Sequence, residues 1–177
     1  MQERMFAPLK MTDTGFFVPA QNASRIAELF AKDPATGTAN KLIDVTKQPG
    51  NDSGGAGGVS TAGDYLRYCQ AMLNVGQLDG ARILSKSTVK LMTSDHLGSS
   101  INMAFNPGML LMGVQGYTFG LGFTVRQGDE LAAVHGSEGE FMWAGYGGTF
   151  FWADPKEQIC TVYMAQAPTR CAPPTTG

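Results

Sequence analysis

Apolar positions recur at helical spacing in the first two thirds of the chain, most clearly after residue 60. One face of this segment carries Tyr65, Leu66, Cys69, Met72 and Leu73. Ser60 or Thr61 can cap its start, and Asp64 completes a capping-box-like spacing. A glycine at position 76 then ends the predicted helix. Further elements are predicted at four places: helices over residues 2–9, 23–31 and 85–93, and a short strand over residues 42–45.

The last third of the chain changes to the alternating pattern of β-strands. A strand is predicted over residues 117–126, with Phe119, Leu121, Phe123 and Val125 on one face. Three more strands are predicted over residues 131–135, 148–153 and 158–165. The sequence therefore indicates an α+β fold, in which an antiparallel meander of about four strands packs with helices and long loops. Since no helix follows the strands, upstream helices or another chain must cover them.

The organisation expected from these patterns is one domain over residues 1–166. Residues 1–116 form its helix and loop region and residues 117–166 its antiparallel strands, while residues 167–177 are a tail rich in Pro and Thr. The length of 177 residues and the hydrophobic content of 43% suit a single domain with a real core.

Charge and cysteine usage exclude several classes of partner. A net charge of −2 provides no basic field, so we expect no nucleic-acid and no membrane partner. There is no run of about 18 apolar residues and no signal-peptide pattern. The chain is therefore expected to be soluble, in the cytoplasm or the periplasm. Cys69, Cys160 and Cys171 lack metal-site spacing, and neither a metal nor a cofactor is predicted.

A glycine-rich stretch at residues 135–149 leads into an aromatic run that ends at Asp154-Pro155. Glycine lets a backbone approach a ligand closely, so the N–H groups of such a loop can stabilise an oxyanion. This stretch is the strongest chemical signal in the sequence.

Three blocks together resemble the serine β-lactamase-like hydrolases, which include class C β-lactamases, D,D-peptidases and family VIII carboxylesterases. Residues 6–16, F-A-P-L-K-M-T-D-T-G-F, are similar to the family's F-x-P-L-G-M-x-D-T-G-F. Residues 53–65 are similar to its G-x-G-G-x-x-S-T-A-x-D-Y, and residues 135–155 to its third motif. The resemblance covers about residues 1–166 and implies a partial β-lactamase/transpeptidase-like fold without metal or cofactor.

The family's acyl-enzyme chemistry requires Ser-x-x-Lys and Tyr-x-Asn or Tyr-x-Ser, which normally precede the first block. Neither is found before that block in this sequence. The resemblance therefore implies the C-terminal portion of such an enzyme, and whether this chain is itself an enzyme stays open.

Two other serines stand in nucleophile-like contexts. Ser87 and Lys90 spell Ser-x-x-Lys, but they fall on a predicted peripheral helix, where a solvated helix face is the favoured interpretation. Ser137 lies in His-Gly-Ser-Glu-Gly, which departs from the Gly-x-Ser-x-Gly elbow because His135 replaces the first glycine. Ser94-Asp95-His96 holds the residue types of a triad, but adjacency in sequence does not create its geometry.

The third block matches the family VIII esterases, which carry Trp-x-Gly where class C β-lactamases carry Lys-Thr-Gly. The match is Trp143-Ala144-Gly145, and it implies that the Tyr146 N–H donates to an oxyanion. Trp143 would wall a substrate pocket, and a pocket without the lysine favours neutral esters. Further lining is predicted from Tyr117, Phe119 and Leu121. Two alternatives stay open: a structural aromatic-glycine bend, or His135 at the first position of the motif.

The sequence thus predicts a portion of a serine hydrolase that acts on carboxylic esters, with a β-lactam or a D-amino-acid peptide as the alternative substrate. A non-catalytic assembly or binding module is the rival function, because exposed sheet edges favour association. The partners expected are accordingly a small ester-like substrate, further copies of the chain as a homo-oligomer, or a complementing N-terminal chain.

Overall fold

The computed structural model of the protein describes residues 1–33, 36–51, 53, 55, 57–98, 115–128 and 134–167. Its main sheet is an antiparallel meander of five strands in the order β3-β4-β5-β6-β7, and β1 and β2 form a separate hairpin. The helices are α1 (Ala62–Leu73) and α2 (Lys86–Met92). The strands are β1 (Gln77–Leu78), β2 (Ala81–Arg82), β3 (Tyr117–Phe119), β4 (Thr124–Arg126), β5 (Phe141–Ala144), β6 (Phe150–Asp154) and β7 (Ile159–Tyr163).

Side-chain caps fix the starts of both helices. The Thr61 hydroxyl accepts the Asp64 N–H at 3.2 Å, and the Ser85 hydroxyl accepts the Thr88 N–H at 3.0 Å. Gly76 follows α1 with a φ of +90°, and a Cβ at this position would overlap the Leu84 carbonyl. The capped helix between Thr61 and Gly76 is therefore confirmed, and the local signals that predicted it are the contacts that form it.

Helix α1 lies across β6 and β7 and forms the main core with the sheet. The fully buried members of this core are Cys69, Met72, Leu73, Val89, Phe123, Val125, Phe141, Phe151 and Ala153. A second cluster, Phe6, Leu9, Met11 and Ala71, packs on α1 from the N-terminal segment. Upstream helices thus cover one face of the meander, and the mixed helix and antiparallel-sheet architecture agrees with the expectation.

The first two sequence blocks meet at one buried carboxylate. The Asp64 Oδ2 atom accepts the Asp13 N–H at 2.7 Å and the Thr14 hydroxyl at 2.9 Å. The Thr14 and Ser60 hydroxyls are 2.8 Å apart, and Gly15 pairs with Val59 in an isolated bridge. Residues about fifty positions apart are therefore joined by the side chains that make each block recognisable.

Several sequence expectations differ from the structure in the N-terminal region. Residues 2–9 contain one turn of π-helix, Gln2–Phe6, rather than an α-helix. The predicted helix over residues 23–31 is instead a 3₁₀-helix, Ala20–Arg25, because the chain becomes extended at Ile26. No strand forms over residues 42–45. Short apolar patterns at these places did not suffice to specify a regular helix or strand.

The sheet contains more strands than the alternation predicted. Residues 117–126 form a hairpin of β3 and β4 rather than one strand, because Gly122 has a φ of +87° and the Gly120 N–H donates to the Phe123 carbonyl at 2.8 Å. Of the predicted strand over residues 131–135, residues 131–133 lie outside the described residues, and the last two are not in a strand. The second partner of β4 is β5, which lies within the stretch expected to be a loop.

Candidate active site

A tight glycine turn follows β5. The Gly145 N–H donates to the Thr149 carbonyl at 2.8 Å, and the Gly148 N–H donates to the Gly145 carbonyl at 3.0 Å. A Cβ on Gly145 would overlap the Thr149 hydroxyl, and one on Gly148 would meet the Ala167 carbonyl at 2.6 Å. Gly148 also has a φ of +91°. Both glycines are therefore required by close approach of neighbouring atoms, and the path of the turn is fixed.

Tyr146 is the second residue of this turn. Its backbone N–H has no acceptor among the residues that the structure describes. Its side chain is 72% exposed, so the tip of the turn is open to solvent. The adjacent Gly147 carbonyl is occupied by the Ala167 N–H at 2.8 Å. The turn thus holds on a rigid backbone a donor that has no acceptor among the described residues, and a donor fixed in this way is a candidate for oxyanion stabilisation.

An aromatic pair stands beside the turn. The rings of Trp143 and Phe119 meet edge to face, with centroids 5.3 Å apart and planes at 65°. Trp143 also packs on the main core, so its orientation is held from two sides. Leu121, in the β3–β4 turn, is 46% exposed, and its N–H donates to the Met92 carbonyl. Of the predicted pocket residues, the structure therefore brings Trp143 and Phe119 into direct contact.

Tyr117, also predicted to line a pocket, is buried in a different environment. Its hydroxyl donates to Glu140 Oε1 at 2.6 Å. The same carboxylate accepts Arg126 Nη1 at 3.2 Å and, through Oε2, Trp152 Nε1 at 2.7 Å. Arg126 and Glu140 are 3% and 1% exposed, so this is a fully buried ion pair with two further donors. We name these four residues the Glu140 cluster.

The Glu140 cluster holds together the strands that carry the candidate site. Arg126 ends β4 and also donates to the carbonyls of Gly128 and Val134, at 3.2 and 3.0 Å. Burial raises the pKa of Tyr117 well above its usual range, and the hydrogen bond to Glu140 adds to this effect. Sequence reasoning missed the cluster; the only signal was a glutamate, an arginine and a tryptophan within a strongly apolar region.

Comparison with known proteins identifies the fold and the family. The family model described as Beta-lactamase matches residues 1–174. The chain belongs to the beta-lactamase family. Protein Rv1367c of Mycobacterium tuberculosis (strain ATCC 25618 / H37Rv) is 30% identical over 169 residues, which are 94% of this chain and 42% of that protein.

Solved structures agree with the family assignment at the level of the fold. The simvastatin synthase LovD of Aspergillus terreus has a TM-score of 0.71 at 24% identity, over 93% of this chain and 43% of that one. EstCE1, a hydrolase with promiscuous acyltransferase activity, has a TM-score of 0.65 at 25% identity, over 93% of this chain and 44% of that one. The chain therefore spans less than half the length of these relatives, and its fold is a partial β-lactamase/transpeptidase-like fold.

In this beta-lactamase-family chain, the two alternative nucleophiles are Ser87 and Ser137. Both belong to other segments of the chain than the glycine turn. Ser87 and Lys90 are both exposed on α2, and the Ser87 hydroxyl contacts the Ser85 hydroxyl at 2.8 Å. Ser137 is buried, and its carbonyl accepts the Glu140 N–H at 3.1 Å. His135 is exposed. Among the residues that the structure describes, neither serine is hydrogen-bonded to a general base, so these roles gain no support from geometry.

The Ser94-Asp95-His96 segment is occupied by local structure. The Ser94 hydroxyl donates to the Lys90 carbonyl at 2.5 Å, and His96 Nε2 lies 2.7 Å from the Leu91 carbonyl. Asp95 accepts the Thr118 hydroxyl at 2.5 Å. The Ser94 and His96 side chains therefore bond back to carbonyls of α2, and the Asp95 side chain ties the end of that helix to β3.

No group of three or more His, Cys, Asp or Glu side chains is placed to hold a metal ion in the part of the chain that the structure describes. Among those same residues, no helix has the length and apolar character needed to cross a bilayer.

Proposed function

We propose that this chain supplies the oxyanion-stabilising turn and part of the acyl pocket of a serine hydrolase that cleaves carboxylic esters. The observation that carries the proposal is the unpaired Tyr146 N–H, held in a glycine turn directly after the strand that bears Trp143. A donor fixed in advance stabilises the negative charge that develops on a carbonyl oxygen without reorganisation during the reaction.

In the complete enzyme a serine oxygen attacks the ester carbonyl, and the electron pair moves onto the carbonyl oxygen beside the Tyr146 N–H. Collapse of this intermediate expels the alcohol and leaves an acyl-serine, which water then hydrolyses. The serine, its lysine and its tyrosine would come from a segment outside this chain. The chain alone is therefore expected to catalyse no acyl transfer of the family type.

The preference for esters follows from the residue at the wall of the turn. Trp143 stands where a lysine would offer a positive charge to a substrate carboxylate, and the edge-to-face contact with Phe119 makes this wall apolar. The likeness to EstCE1, a hydrolase with promiscuous acyltransferase activity, supports acyl transfer as the reaction class. A β-lactam or a D-amino-acid peptide, both carrying carboxylates, is the alternative.

The missing nucleophile is tested with a serine-directed fluorophosphonate. The purified chain is expected to take up no label, because no general base is hydrogen-bonded to Ser87 or Ser137 within the described part of the chain. Labelling at either serine in stoichiometric amount, located by peptide mass spectrometry, would overturn this part of the proposal.

The role of the turn is tested by complementation with the part of Protein Rv1367c outside the matched segment, assayed on p-nitrophenyl esters. Tyr146→Pro removes the backbone donor, whereas Tyr146→Ala removes only the exposed ring and serves as the matched control. Loss of one oxyanion donor lowers kcat by about 100- to 1,000-fold. We expect a loss of this size for Y146P and a change within about threefold for Y146A. Equal activity of the two variants would refute the oxyanion role.

A non-catalytic assembly role is the second candidate function. It is supported by an exposed apolar strand at the edge of the sheet, and it predicts association of the chain whether or not an ester is hydrolysed.

A further inference from the structure

Backbone contacts join the end of helix α2 and the residues after it to the β3–β4 hairpin. The His96 N–H donates to the Phe119 carbonyl at 3.1 Å. Two residues further along the hairpin, the Leu121 N–H donates to the Met92 carbonyl at 2.9 Å. A Cβ on Gly120, which lies between these contacts, would overlap the same Met92 carbonyl, so glycine is required for the approach.

The Asp95 side chain adds a second connection to the same hairpin. Its Oδ1 atom accepts the Thr118 hydroxyl at 2.5 Å, and its Oδ2 atom accepts Gln127 Nε2 at 3.3 Å. The N–H groups of Leu97 and Gly98 also donate to Oδ1, at 2.9 and 3.0 Å, and fix the orientation of the carboxylate. The hydrogen bond from Thr118 holds the pKa of Asp95 below its usual range, so both oxygens are acceptors at neutral pH.

The Asp95–Thr118 hydrogen bond lies directly behind the aromatic pair of the candidate active site. Thr118 and Phe119 point to opposite faces of β3, because successive side chains alternate along a strand. Thr118 is buried on one face, and on the other the Phe119 ring meets Trp143 edge to face, with centroids 5.3 Å apart. A β3 backbone that is fixed at Thr118 therefore also fixes the ring of the next residue.

We propose that Asp95 is a positioning residue for the substrate wall, because its hydrogen bond to Thr118 holds β3 where the Phe119 ring packs on Trp143. Asp95 acts through Thr118 and is not a catalytic residue. The claim that this wall contacts the ester rests on the proposed function. The connection from Asp95 to Trp143 does not, since every contact in it lies within the described residues of this chain.

Neighbouring side chains supply the variants that separate this role from general support of the helix. Ser94 donates to the Lys90 carbonyl within α2, so Ser94→Ala removes a hydrogen bond from the same segment without touching the hairpin. Thr118→Val removes the other partner of the Asp95 hydrogen bond and keeps the branched shape of the side chain. Asp95 is itself exposed, so Asp95→Ala should remain folded, as far-UV circular dichroism would verify.

Fluorine NMR of the chain labelled with fluorotryptophan tests the connection without any substrate. The chain contains two tryptophans, so two signals are expected, and Trp143→Phe assigns them. Asp95→Ala and Thr118→Val should each move the Trp143 signal in the same direction as Phe119→Leu, because the ring above Trp143 is displaced. The Trp152 signal should stay in place, and Ser94→Ala should move neither signal.

Asp95→Asn should restore the original spectrum. Its amide oxygen still accepts the Thr118 hydroxyl, and the Gln127 amide can turn its own oxygen towards the new NH₂ group. A Trp143 signal that stays in place in Asp95→Ala and Thr118→Val would overturn the proposal. A shift that Ser94→Ala reproduces, that Asp95→Asn does not reverse, or that is equal for both tryptophans would overturn it as well.

The effect on the substrate is measured in the complemented enzyme with p-nitrophenyl esters. A displaced wall weakens binding of the ester and of the transition state alike, so Asp95→Ala should raise KM about two- to tenfold, the worth of an aromatic contact, with kcat little changed. An unchanged KM in a variant whose Trp143 signal has moved would overturn the role of Asp95 in substrate binding. Unchanged kcat in Tyr146→Pro would instead overturn the proposed function and leave the NMR result standing.

Discussion

Replacing Glu140 with alanine should destabilise the protein more than an ordinary surface substitution. The carboxylate is 1% exposed and accepts hydrogen bonds from Tyr117, Arg126 and Trp152. Its removal takes away the carboxylate that pairs with the buried Arg126 guanidinium, and the Tyr117 and Trp152 donors lose this acceptor. The environment excludes most of the water that would otherwise compensate for these losses.

The magnitude follows from the burial of the charge. Removing one partner of a buried ion pair costs about 3–5 kcal/mol, against a typical free energy of unfolding of about 5–15 kcal/mol. For a domain of this length, about 1 kcal/mol corresponds to a shift in Tm of about 2–4 °C, so Tm should fall by about 6–20 °C. The Tm of Glu140→Gln should lie between those of the unsubstituted protein and Glu140→Ala. Every partner of this side chain is a donor, so the amide NH₂ must face one of them.

Urea unfolding followed by tryptophan fluorescence measures the effect, since Trp152 is itself a member of the cluster. Glu157→Ala, at an exposed position, is the control and should change stability by less than about 0.5 kcal/mol. A double variant with Arg126→Leu removes both charges and should lose about 1–3 kcal/mol less than the sum of the single losses. A loss below about 1 kcal/mol for E140A, or strict additivity in the double variant, would refute this account.

Three further predictions concern pH, the joined sequence blocks and a close glycine contact. Burial raises the pKa of Tyr65 and that of Cys69 to about 12, so both groups lose their protons at lower pH in the unfolded state than in the folded state. The free energy of unfolding should therefore hold below about pH 9 and fall as pH rises towards 12. Urea midpoints measured from pH 7 to 11 would show this fall. Asp64→Ala removes the acceptor that joins the first two blocks and should lower the free energy of unfolding by about 2–3 kcal/mol in the same assay; a loss under about 0.5 kcal/mol would contradict the role of that carboxylate. Gly136→Ala places a Cβ against the Glu140 carboxylate at a φ of +152° and should lower stability by about 1–3 kcal/mol, whereas Gly58→Ala, which meets open space, should change it little in parallel thermal melts.

The elements that sequence predicted well are those specified by local contacts. Helix α1 begins at a capping threonine and ends before a glycine in the left-handed region, and both signals lie within a few residues of the atoms they satisfy. The same holds for α2 and its capping serine. The antiparallel sheet was also predicted, because apolar and polar positions alternate with a period of two within residues 150–163.

The errors arose where the chain reverses without a strong turn signal. Alternation continued through residues 117–126, so one strand was expected, although Gly122 turns the chain back on itself. Strand β5 was missed because its sequence, Phe-Met-Trp-Ala, is apolar throughout and shows no alternation; Phe141 and Met142 are buried, and Trp143 and Ala144 are half-buried. Its glycine-rich neighbours then favoured a loop. Only pairing with β4 and β6, which is not local, makes these four residues a strand.

The candidate site likewise has one part that the sequence predicted and one part that it did not. The turn at Gly145 was predicted because the family resemblance supplied its register, and its glycines reflect close contacts that a short sequence can reveal. The Glu140 cluster was not predicted, since the other three members lie 12 to 23 positions from Glu140 along the chain and meet it only in the folded sheet. A buried charge has no sequence signature until its partner is known.

The two ends of β5 connect these features. Glu140 immediately precedes the strand and Gly145 immediately follows it, so five residues lie between Glu140 of the buried ion pair and Tyr146, whose N–H is the proposed oxyanion donor. A shift of β5 by one residue would move every side chain to the opposite face of the sheet and would place the Tyr146 N–H elsewhere. The ion pair with Arg126 on β4 prevents such a shift, because no other register keeps the Glu140 carboxylate among its three donors. The cluster therefore acts as a positioning element for the turn: in the complemented enzyme, Glu140→Gln should lower kcat even under conditions where the variant remains folded, and unchanged kcat in folded E140Q would show that the turn is held by its own hydrogen bonds alone.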